Sequence, residues 1–284
     1  MKAIALGNFD GVHIAHRAVL QEAARQGEAV CLLFREHPLA LLQGKAPERL
    51  LSAAETEKKI LACGISRCEY LDFSAVKDLS PEAFFETVLM ETLGAEHICC
   101  GFNYSFGKGK AGNAAVLAEL CRLHGVTLSV SEPVLFEGEP VSSSRIRHCI
   151  REGAIEKANQ MLGYPFSFEN AILEGKHLGR ELGFPTINQL LPAGLVKPRA
   201  GVYASEVLLE GNRYRGLTNI GDNPTIGGDC FRSETYLFDY EGNAYGKTAR
   251  VALIEFIREE KAFSCLEELR AQVLADIERA KDHV

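Results

Sequence analysis

The sequence predicts an α/β domain built on a parallel, doubly wound sheet, followed by a small antiparallel β-barrel with a C-terminal helix. The chain has 284 residues, which is the length of about two domains. Up to residue 162, short apolar runs alternate with helical segments, as in a parallel sheet covered by helices. Beyond Phe166 the runs are short, β-prone and separated by turn residues. We therefore expect one domain over residues 1–164 and a second over residues 165–284.

The first domain is expected to hold five strands that alternate with helices. The predicted strands are residues 2–6, 28–34, 68–73, 98–102 and 126–130. The predicted helices are residues 16–25, a helix opened by the capping box 52–55, a helix opened by Ser80 and Pro81, and residues 114–124, 143–152 and 155–162. Strand, helix and strand at this spacing form βαβ units, whose strands run parallel.

The second domain shows β-prone runs and one amphipathic helix. The predicted strands are residues 168–173, 202–209, 214–220, 234–239 and 250–258. Turn residues at 210–212 and 241–243 separate some of them. The C-terminal helix has an apolar stripe formed by Leu266, Leu269, Val273 and Ile277. We expect this stripe to pack against the barrel rather than against another protein.

Composition and charge limit the class of protein. The chain is 46% hydrophobic and 24% charged, which is ordinary for a soluble globular protein. Its net charge of −7 argues against a general surface for nucleic acid. No apolar run is long enough to span a membrane, and the N-terminus lacks the pattern of a signal peptide. We expect a cytoplasmic protein that acts on small molecules, with no nucleic-acid or membrane partner and with its oligomeric state open, a monomer included. Its nine cysteines contain no C-x-x-C pair and suit a reducing compartment.

The stretch 175–188, GKHLGRELGFPTIN, combines glycines, basic side chains and two small oxygen donors. Gly179 and Gly183 permit backbone angles that a Cβ forbids, and Pro185 fixes one torsion before the donors. In a strand, Thr186 and Asn188 would point to the same face, and both supply the hard oxygens that Mg²⁺ prefers. The composition suits a loop that binds phosphate and metal. A glycine-rich surface turn with a basic rim explains it equally well.

The stretch 7–16, GNFDGVHIAH, lies where the first strand is expected to end and the first helix to begin. Ligands of open parallel sheets bind at the carboxyl ends of strands, and a helix N-terminus favours phosphate there. His13 and His16 are three residues apart, so we expect them to share one helical face and to donate to a triphosphate. Two alternatives are a zinc site, for which no third ligand stands at suitable spacing, and plain helix-capping histidines.

Both stretches resemble motifs of one family. GKHLGRELGFPTIN is similar to the G-x-x-x-G-R-x-L-G-F-P-T-A-N loop of riboflavin kinases, with Ile187 in place of Ala. G-x-F-D-G-V-H-x-x-H resembles the H-x-G-H signature of the nucleotidyltransferase superfamily, in the form used by bacterial FAD synthetases. The resemblance to bacterial bifunctional riboflavin kinase/FMN adenylyltransferases covers nearly the whole chain. It implies a Rossmann-like nucleotidyltransferase domain followed by a riboflavin kinase-like barrel.

For the kinase half, the resemblance implies a complete set of site residues. Thr186 and Asn188 would bind Mg²⁺, and Glu234 would be the general base that activates a ribityl hydroxyl. ATP phosphates would be bound by Gly175, Lys176, Gly179, Gly183 and Pro185. Arg258 and Phe263 would border the flavin. Without the resemblance, Glu234 reads as an exposed carboxylate on a strand, and residues 256–260 as a charged strand end.

For the adenylyltransferase half, the resemblance implies that His13 and His16 are catalytic. The phosphates of ATP would be bound by Gly7, Asn8, Phe9, Asp10, Gly11, Ser143, Ser144 and Arg147. Asn103 and Tyr104 would lie beside the flavin, in a loop 101–112 that resembles the family's G-x-D-F-x-F-G-x-x-x-x-G. Without the resemblance, the serine run is an ordinary helix N-cap.

The resemblance implies phosphorylation of riboflavin by ATP to FMN, then adenylylation of FMN to FAD. A first alternative is a riboflavin kinase with a weak or inactive adenylyltransferase domain, because Ala15 and Asn103 stand where the family has Gly and commonly Asp. A second is a flavin-binding module without catalysis. A third is an NAD(P)-dependent protein that uses G-x-G-x-x-G at residues 107–112, but this motif starts five positions after the last residue of the expected strand.

Overall fold

The computed structural model describes residues 1–174, 183–222 and 231–281. The chain divides into two compact units, one of Met1–Ser143 and one that starts at Ser144. The helices that precede the barrel therefore belong with it. Asn159 supports this grouping, because its side chain donates to the carbonyl of Leu253 (2.8 Å) and accepts from the backbone N–H of Phe166 (2.7 Å). The boundary after residue 164 stays a prediction.

The first unit contains the predicted parallel sheet. Its strands are β1 (Lys2–Leu6), β2 (Glu28–Phe34), β3 (Arg67–Leu71), β4 (His97–Gly101) and β7 (Thr127–Ser131). They lie in the order β3-β2-β1-β4-β7, and every neighbouring pair is parallel. Two short hairpins pair β5 (Ser105–Phe106) with β6 (Gly112–Asn113) and β8 (Leu135–Phe136) with β9 (Glu139–Pro140). Strands β2 and β3 lie on one side of β1, and β4 and β7 lie on the other, so the order of the strands switches between β1 and β4. Ligands of such sheets bind at the carboxyl ends of the two strands at this switch point.

Helices cover the sheet, and their caps follow the sequence. They are α1 (Ile14–Arg25), α2 (Pro38–Gln43), α3 (Ala53–Leu61), α4 (Phe73–Val76), α5 (Pro81–Phe84), a π-helical continuation Phe85–Thr92, and α6 (Ala114–His124). The predicted capping box is confirmed, since Ser52 Oγ accepts from the backbone N–H of Glu55 at 3.2 Å. Helix α2 was not predicted. It has only six residues, PLALLQ, and these are apolar without a helical period, so its sequence carries no amphipathic pattern to signal a helix.

The second unit begins at the second residue of α7 (Ser143–Arg151), contains α8 (Ile155–Leu162) and continues into a nearly closed antiparallel barrel. Its strands are β10 (Ser167–Ala171), β11 (Thr186–Leu190), β12 (Gly201–Leu209), β13 (Asn212–Asp222), β14 (Phe231–Leu237) and β15 (Thr248–Arg258). They lie in the order β10-β15-β12-β13-β14-β11. One isolated bridge, from the N–H of Leu173 to the carbonyl of Asn188 (2.8 Å), joins the first and last strands of this order.

Strand β11 is missing from the strands that the β-prone runs predict. Its five residues, TINQL, include Asn and Gln, which have little intrinsic preference for strands. Pairing with β14 along the whole of β11 overrides this preference. The expectation that Thr186 and Asn188 point to one face of an extended segment is confirmed by this strand.

The C-terminal helix, Leu266–Lys281, packs against one face of the barrel sheet. Ile277 is buried and Val273 partly buried in a core with Leu217 and Ile257, as the apolar stripe predicts. Leu266 is the first residue of the helix and is 53% exposed, so it lies outside this contact. In the described ranges, no helix combines the length and the apolar character needed to cross a membrane.

Candidate active sites

The barrel sheet brings Asn188 and Glu234 together. They are direct partners in the antiparallel pairing of β11 with β14, and Glu234 also pairs with Asn219 on β13. Directly paired residues project from the same face of a sheet, so these three side chains are neighbours. We call this the outer face, because it also carries Leu217 and Tyr236, which pack under the C-terminal helix. Thr186 shares the outer face, since it lies two residues before Asn188.

The side-chain oxygen of Asn188 is suited to a ligand. Asn188 is 5% exposed, and its Oδ1 has no hydrogen-bond partner among the residues that the structure describes. Burying a polar atom without a partner costs free energy, and a bound cation or donor would recover it. Thr186 is half-buried and adds a second hard oxygen. The donor set therefore fits Mg²⁺, and Glu234 lies beside it as an exposed carboxylate.

The other predicted residues of the glycine-rich loop divide into two groups. Gly175, Lys176 and Gly179 lie outside the described residues. Gly183 is described, with φ of +88°, which is the left-handed region that favours glycine. Pro185 directly precedes β11, where its fixed φ suits the entry to a strand.

Arg258 and Phe263, the predicted flavin residues, lie close together at the end of β15. The guanidinium carbon of Arg258 is 5.8 Å from the centre of the Phe263 ring. Asp276 of the C-terminal helix holds Arg258 by two bonds from Nε (3.1 and 2.9 Å) and one from Nη2 (2.7 Å). Phe263 also lines an open groove with Lys261, Glu268, Ala271, Gln272 and Ala275. The groove is amphipathic, and its aromatic wall lies beside a fixed cation.

In the first unit, the two histidines meet at the start of α1. His13 is the N-cap of the helix, and its Nδ1 accepts from the backbone N–H of His16 at 3.3 Å. The rings stack with their centroids 3.5 Å apart and their planes 15° apart. His13 therefore precedes the helix instead of sharing a helical face with His16, which corrects the sequence expectation. The cap brings the two rings together, so the capping interpretation and a shared site are compatible.

Both histidines are neutral at neutral pH. Burial, with a further contribution from the positive charge of Arg17, lowers the pKa of His13 to about 4. Burial and the neighbouring His13 lower the pKa of His16 well below its usual value. Because Nδ1 of His13 accepts a hydrogen bond, the proton of the neutral ring is on Nε2. His13 is thus a neutral N–H donor, fixed in one tautomer.

A strained turn connects β1 to these histidines. Phe9 (φ 50°) and Val12 (φ 35°) both have positive φ, and the N–H of Val12 donates to the carbonyl of Phe9 at 3.0 Å. Such backbone strain is often found at ligand sites. Gly7 is required here, because a Cβ would come within 2.9 Å of the Phe9 ring. Asn8 is exposed between these two residues.

Asp10 and Ser143 fix the same turn from either side. The Asp10 carboxylate accepts from the N–H of Leu50 (2.9 Å), and its carbonyl accepts from Ser143 Oγ (2.9 Å). Asp10 therefore organises the turn through its own contacts. Of the other residues predicted to bind the triphosphate, Gly11 lies in the same turn with φ of +81°, and Ser144 and Arg147 belong to the second unit, where Arg147 Nη2 donates to Ser144 Oγ at 3.2 Å.

The loop 101–112 forms a hairpin instead of a dinucleotide fingerprint. Asn103 is exposed, and Tyr104 stacks on Phe106 with centroids 5.7 Å apart, while burial raises the pKa of its hydroxyl. Gly107 and Gly109 lie in the turn between β5 and β6, Gly112 is the first residue of β6, and Asn113 then caps α6. A dinucleotide fingerprint requires a glycine turn directly between strand and helix, so the NAD(P) interpretation is wrong.

Two family models match successive parts of this chain. The family model for FAD synthetase matches residues 1–145, and the model for riboflavin kinase matches residues 162–284. The bifunctional riboflavin kinase/FMN adenylyltransferase of Listeria monocytogenes is 33% identical, over 97% of this chain and 90% of the relative. The chain belongs to this family. The enzyme of the same name from Escherichia coli K12 is also 33% identical, over 96% of this chain and 90% of its own length.

A solved structure has a similar fold over the whole length of this chain. The crystal structure of a macrolide-efflux protein from Streptococcus pneumoniae superposes with a TM-score of 0.92 at 30% identity, covering 100% of this chain and 94% of that one. The two family models match successive parts of the chain, and the predicted fold class, an α/β fold followed by an antiparallel β-barrel with a C-terminal helix, is confirmed.

Within this family member, two residues near the kinase site were missed from sequence. Asn219 lies beside Glu234, and its Nδ2 donates to Glu260 Oε1 at 3.1 Å. Asp276 anchors Arg258 from a helix 18 residues further along the chain. The position of Asn219 beside the carboxylate depends on the pairing register of β13 with β14, which the local sequence does not give. No local pattern links Asp276 to Arg258.

Proposed function

We propose that this chain makes FMN and then FAD. Its barrel would transfer the γ-phosphoryl group of ATP to riboflavin, and its α/β unit would transfer an adenylyl group from a second ATP to FMN. The observation that carries the proposal is the pairing of Asn188 with Glu234 on one sheet face. This pairing sets a buried oxygen ligand beside a carboxylate that can accept a proton. ATP is a cytoplasmic substrate, so we place the reactions there, with small molecules as partners and no nucleic acid.

In the kinase step, Glu234 takes the proton of the terminal ribityl hydroxyl of riboflavin. The hydroxyl oxygen then forms a bond to the γ-phosphorus of ATP, and the bond from that phosphorus to the bridging oxygen breaks, which releases ADP. A carboxylate is needed because a neutral alcohol is a poor nucleophile. The exposure of Glu234 leaves it accessible to a substrate hydroxyl.

Thr186 and Asn188 are the residues that would hold Mg²⁺. When bound, this ion neutralises charge on the phosphates during transfer. The two side chains suit that role because both are hard oxygen donors and because Asn188 Oδ1 is buried without a partner among the described residues. Arg258 and Phe263 would border the flavin ring, since they form one amphipathic wall at the end of β15.

In the adenylyl step, a phosphate oxygen of FMN attacks the α-phosphorus of ATP. The bond from the α-phosphorus to the oxygen of the β-phosphate breaks, and pyrophosphate leaves. Negative charge grows on the leaving pyrophosphate, so fixed donors beside it accelerate the reaction. The Nε2–H of His13 is such a donor, and the neutral rings avoid the cost of a buried charge. His16 and Ser143 belong to the same unit as His13 and are the further residues of the proposed phosphate site there.

One experiment tests both halves. Purified protein is incubated with riboflavin, ATP and Mg²⁺, and the flavins are separated by chromatography; a second reaction starts from FMN. We expect FMN and FAD from riboflavin, and FAD from FMN. FMN without FAD would instead support a kinase with an inactive adenylyltransferase domain, as Ala15 and Asn103 suggest. Recovery of riboflavin alone would contradict the proposal and leave a flavin-binding module.

A further inference from the structure

Strand β11 carries both proposed metal ligands, yet in the described residues its backbone forms a continuous ladder of hydrogen bonds along one edge and not along the other. All five of its residues pair with β14. On its other side, toward β10, the described residues provide one isolated bridge from Leu173 to Asn188. A five-residue strand with a full ladder along one edge relies on few other contacts for its register, and a shift of one residue would turn Asn188 into the barrel interior.

The side chain of Gln189 supplies the missing connection. Gln189 is fully buried, and it points into the barrel because its neighbour Asn188 points out. Its Nε2 donates to two carbonyls, those of Asn170 on β10 (2.6 Å) and Ala249 on β15 (2.8 Å). These two acceptors are themselves paired across β10 and β15. One amide group therefore ties β11 to two strands at once.

The side chain of Asn170 on β10 in turn donates a hydrogen bond to β11. Its Nδ2 donates to the carbonyl of Leu190, the last residue of β11, at 2.9 Å. Together, the side chains of Gln189 and Asn170 span the gap between β10 and β11 where the backbone ladder is absent. The three bonds act on the residues directly after Asn188, so they fix the register that sets Asn188 opposite Glu234.

We propose that Gln189 is a positioning residue for the phosphoryl-transfer site, holding β11 in the register that presents Thr186 and Asn188 to the nucleotide. This inference rests on the proposed kinase function. It assigns Gln189 no contact with substrate; the residue acts through the strand. The groups that support a ligand-bearing residue commonly change metal affinity by about 10- to 100-fold when they are removed.

The test uses the full chain with Gln189→Leu, which keeps similar bulk and removes both donors. We expect the Mg²⁺ concentration for half-maximal FMN formation to rise roughly 10-fold or more, and the rate at saturating Mg²⁺ to change much less. Amide hydrogen exchange across residues 183–191, measured without nucleotide or metal, should become about 10-fold faster. FAD formation from FMN, which takes place in the other unit, should be unchanged.

Two further variants keep the test decisive. Ser205→Ala removes a buried hydrogen bond of 2.7 Å to Thr218 in the same barrel without touching β11, and it should leave the Mg²⁺ requirement unchanged. Asn170→Ala removes one bond to β11 and should shift the Mg²⁺ requirement in the same direction by a smaller factor, even if Gln189→Leu fails to fold.

The inference is overturned if Gln189→Leu and Asn170→Ala keep the wild-type Mg²⁺ requirement and exchange rates, or if Ser205→Ala changes them equally. A wild-type chain that makes no FMN would defeat the proposed kinase function instead. Hydrogen exchange in β11 would still decide whether Gln189 holds the strand, because that measurement needs neither substrate nor turnover.

Discussion

The Nδ1 atom of His13 accepts the backbone N–H of His16 at 3.3 Å, so one histidine caps the helix that carries the other. The same contact stacks the rings and fixes the donor proton of His13 on Nε2. A capping interaction that stabilises α1 thereby also orients the proposed phosphate donor.

Stability should depend on pH through His13. Its pKa is about 4 when folded and 6.5 in the unfolded chain, so between these values the unfolded state binds more protons. The free energy of unfolding should therefore fall as the pH drops from 6.5 to 4, by about 3 kcal/mol from this residue. Urea unfolding at several pH values should show a flatter dependence on pH for His13→Gln than for the wild-type chain, and an equally steep dependence would contradict the role of His13.

Removing the donor of His13 should separate the two activities. We expect His13→Ala to reduce FAD formation from FMN by roughly 100- to 1,000-fold, the usual loss for one fixed donor to a developing charge. FMN formation from riboflavin should continue at the wild-type rate, because the kinase residues lie in the other unit. Equal losses in both activities would show a general folding defect and contradict the assigned role.

The Glu234→Gln variant should lose FMN formation by at least about 100-fold, since an amide cannot accept the ribityl proton. Unfolding by urea should be little changed, because Glu234 is exposed. Glu169→Gln is the matched control, as Glu169 is another exposed strand carboxylate of the same barrel. Wild-type FMN formation by Glu234→Gln would rule out Glu234 as the base.

The Asn188→Leu variant should be more stable than the wild-type chain but should not form FMN. It removes a buried oxygen that has no partner in the described part of the chain, so the free energy of unfolding without metal should rise by about 1 kcal/mol. FMN formation should be lost, and addition of Mg²⁺ with ADP should no longer raise the melting temperature. An unchanged response to Mg²⁺ and ADP would exclude Asn188 as a metal ligand.

Loss of the ion pair between Arg258 and Asp276 should lower the free energy of unfolding, and loss of Arg258 should raise the KM for riboflavin. Asp276 is 3% exposed, and Asp276→Leu would leave the guanidinium without its bidentate partner, at a cost of about 3 kcal/mol in urea unfolding. The double variant Arg258→Met with Asp276→Leu should recover most of that stability. Its KM for riboflavin should stay raised if Arg258 borders the flavin, and a wild-type KM would argue against that role.

Much of this protein is determined by local sequence. An apolar run such as 28–34 predicts a strand, and a capping residue such as Ser52 predicts the start of a helix. Both depend on interactions between residues close in sequence, so both could be predicted from the sequence. Ordered motifs around His13 and Thr186 carried the family resemblance, because a ligand-binding loop needs particular residues at consecutive positions. These features also named the candidate ligands and the candidate base.

Only the tertiary structure decided how those residues meet. Strand β11 includes Asn and Gln, which have little preference for strands, and its register comes from β14 and from Gln189, whose side chain donates to carbonyls on β10 and β15. The neighbours of Glu234 on both sides, and the partner of Arg258, follow from that register and from helix packing. Pairing between strands that are distant in sequence depends on many weak contacts across the barrel. The local sequence of each strand therefore does not predict its partners or its register.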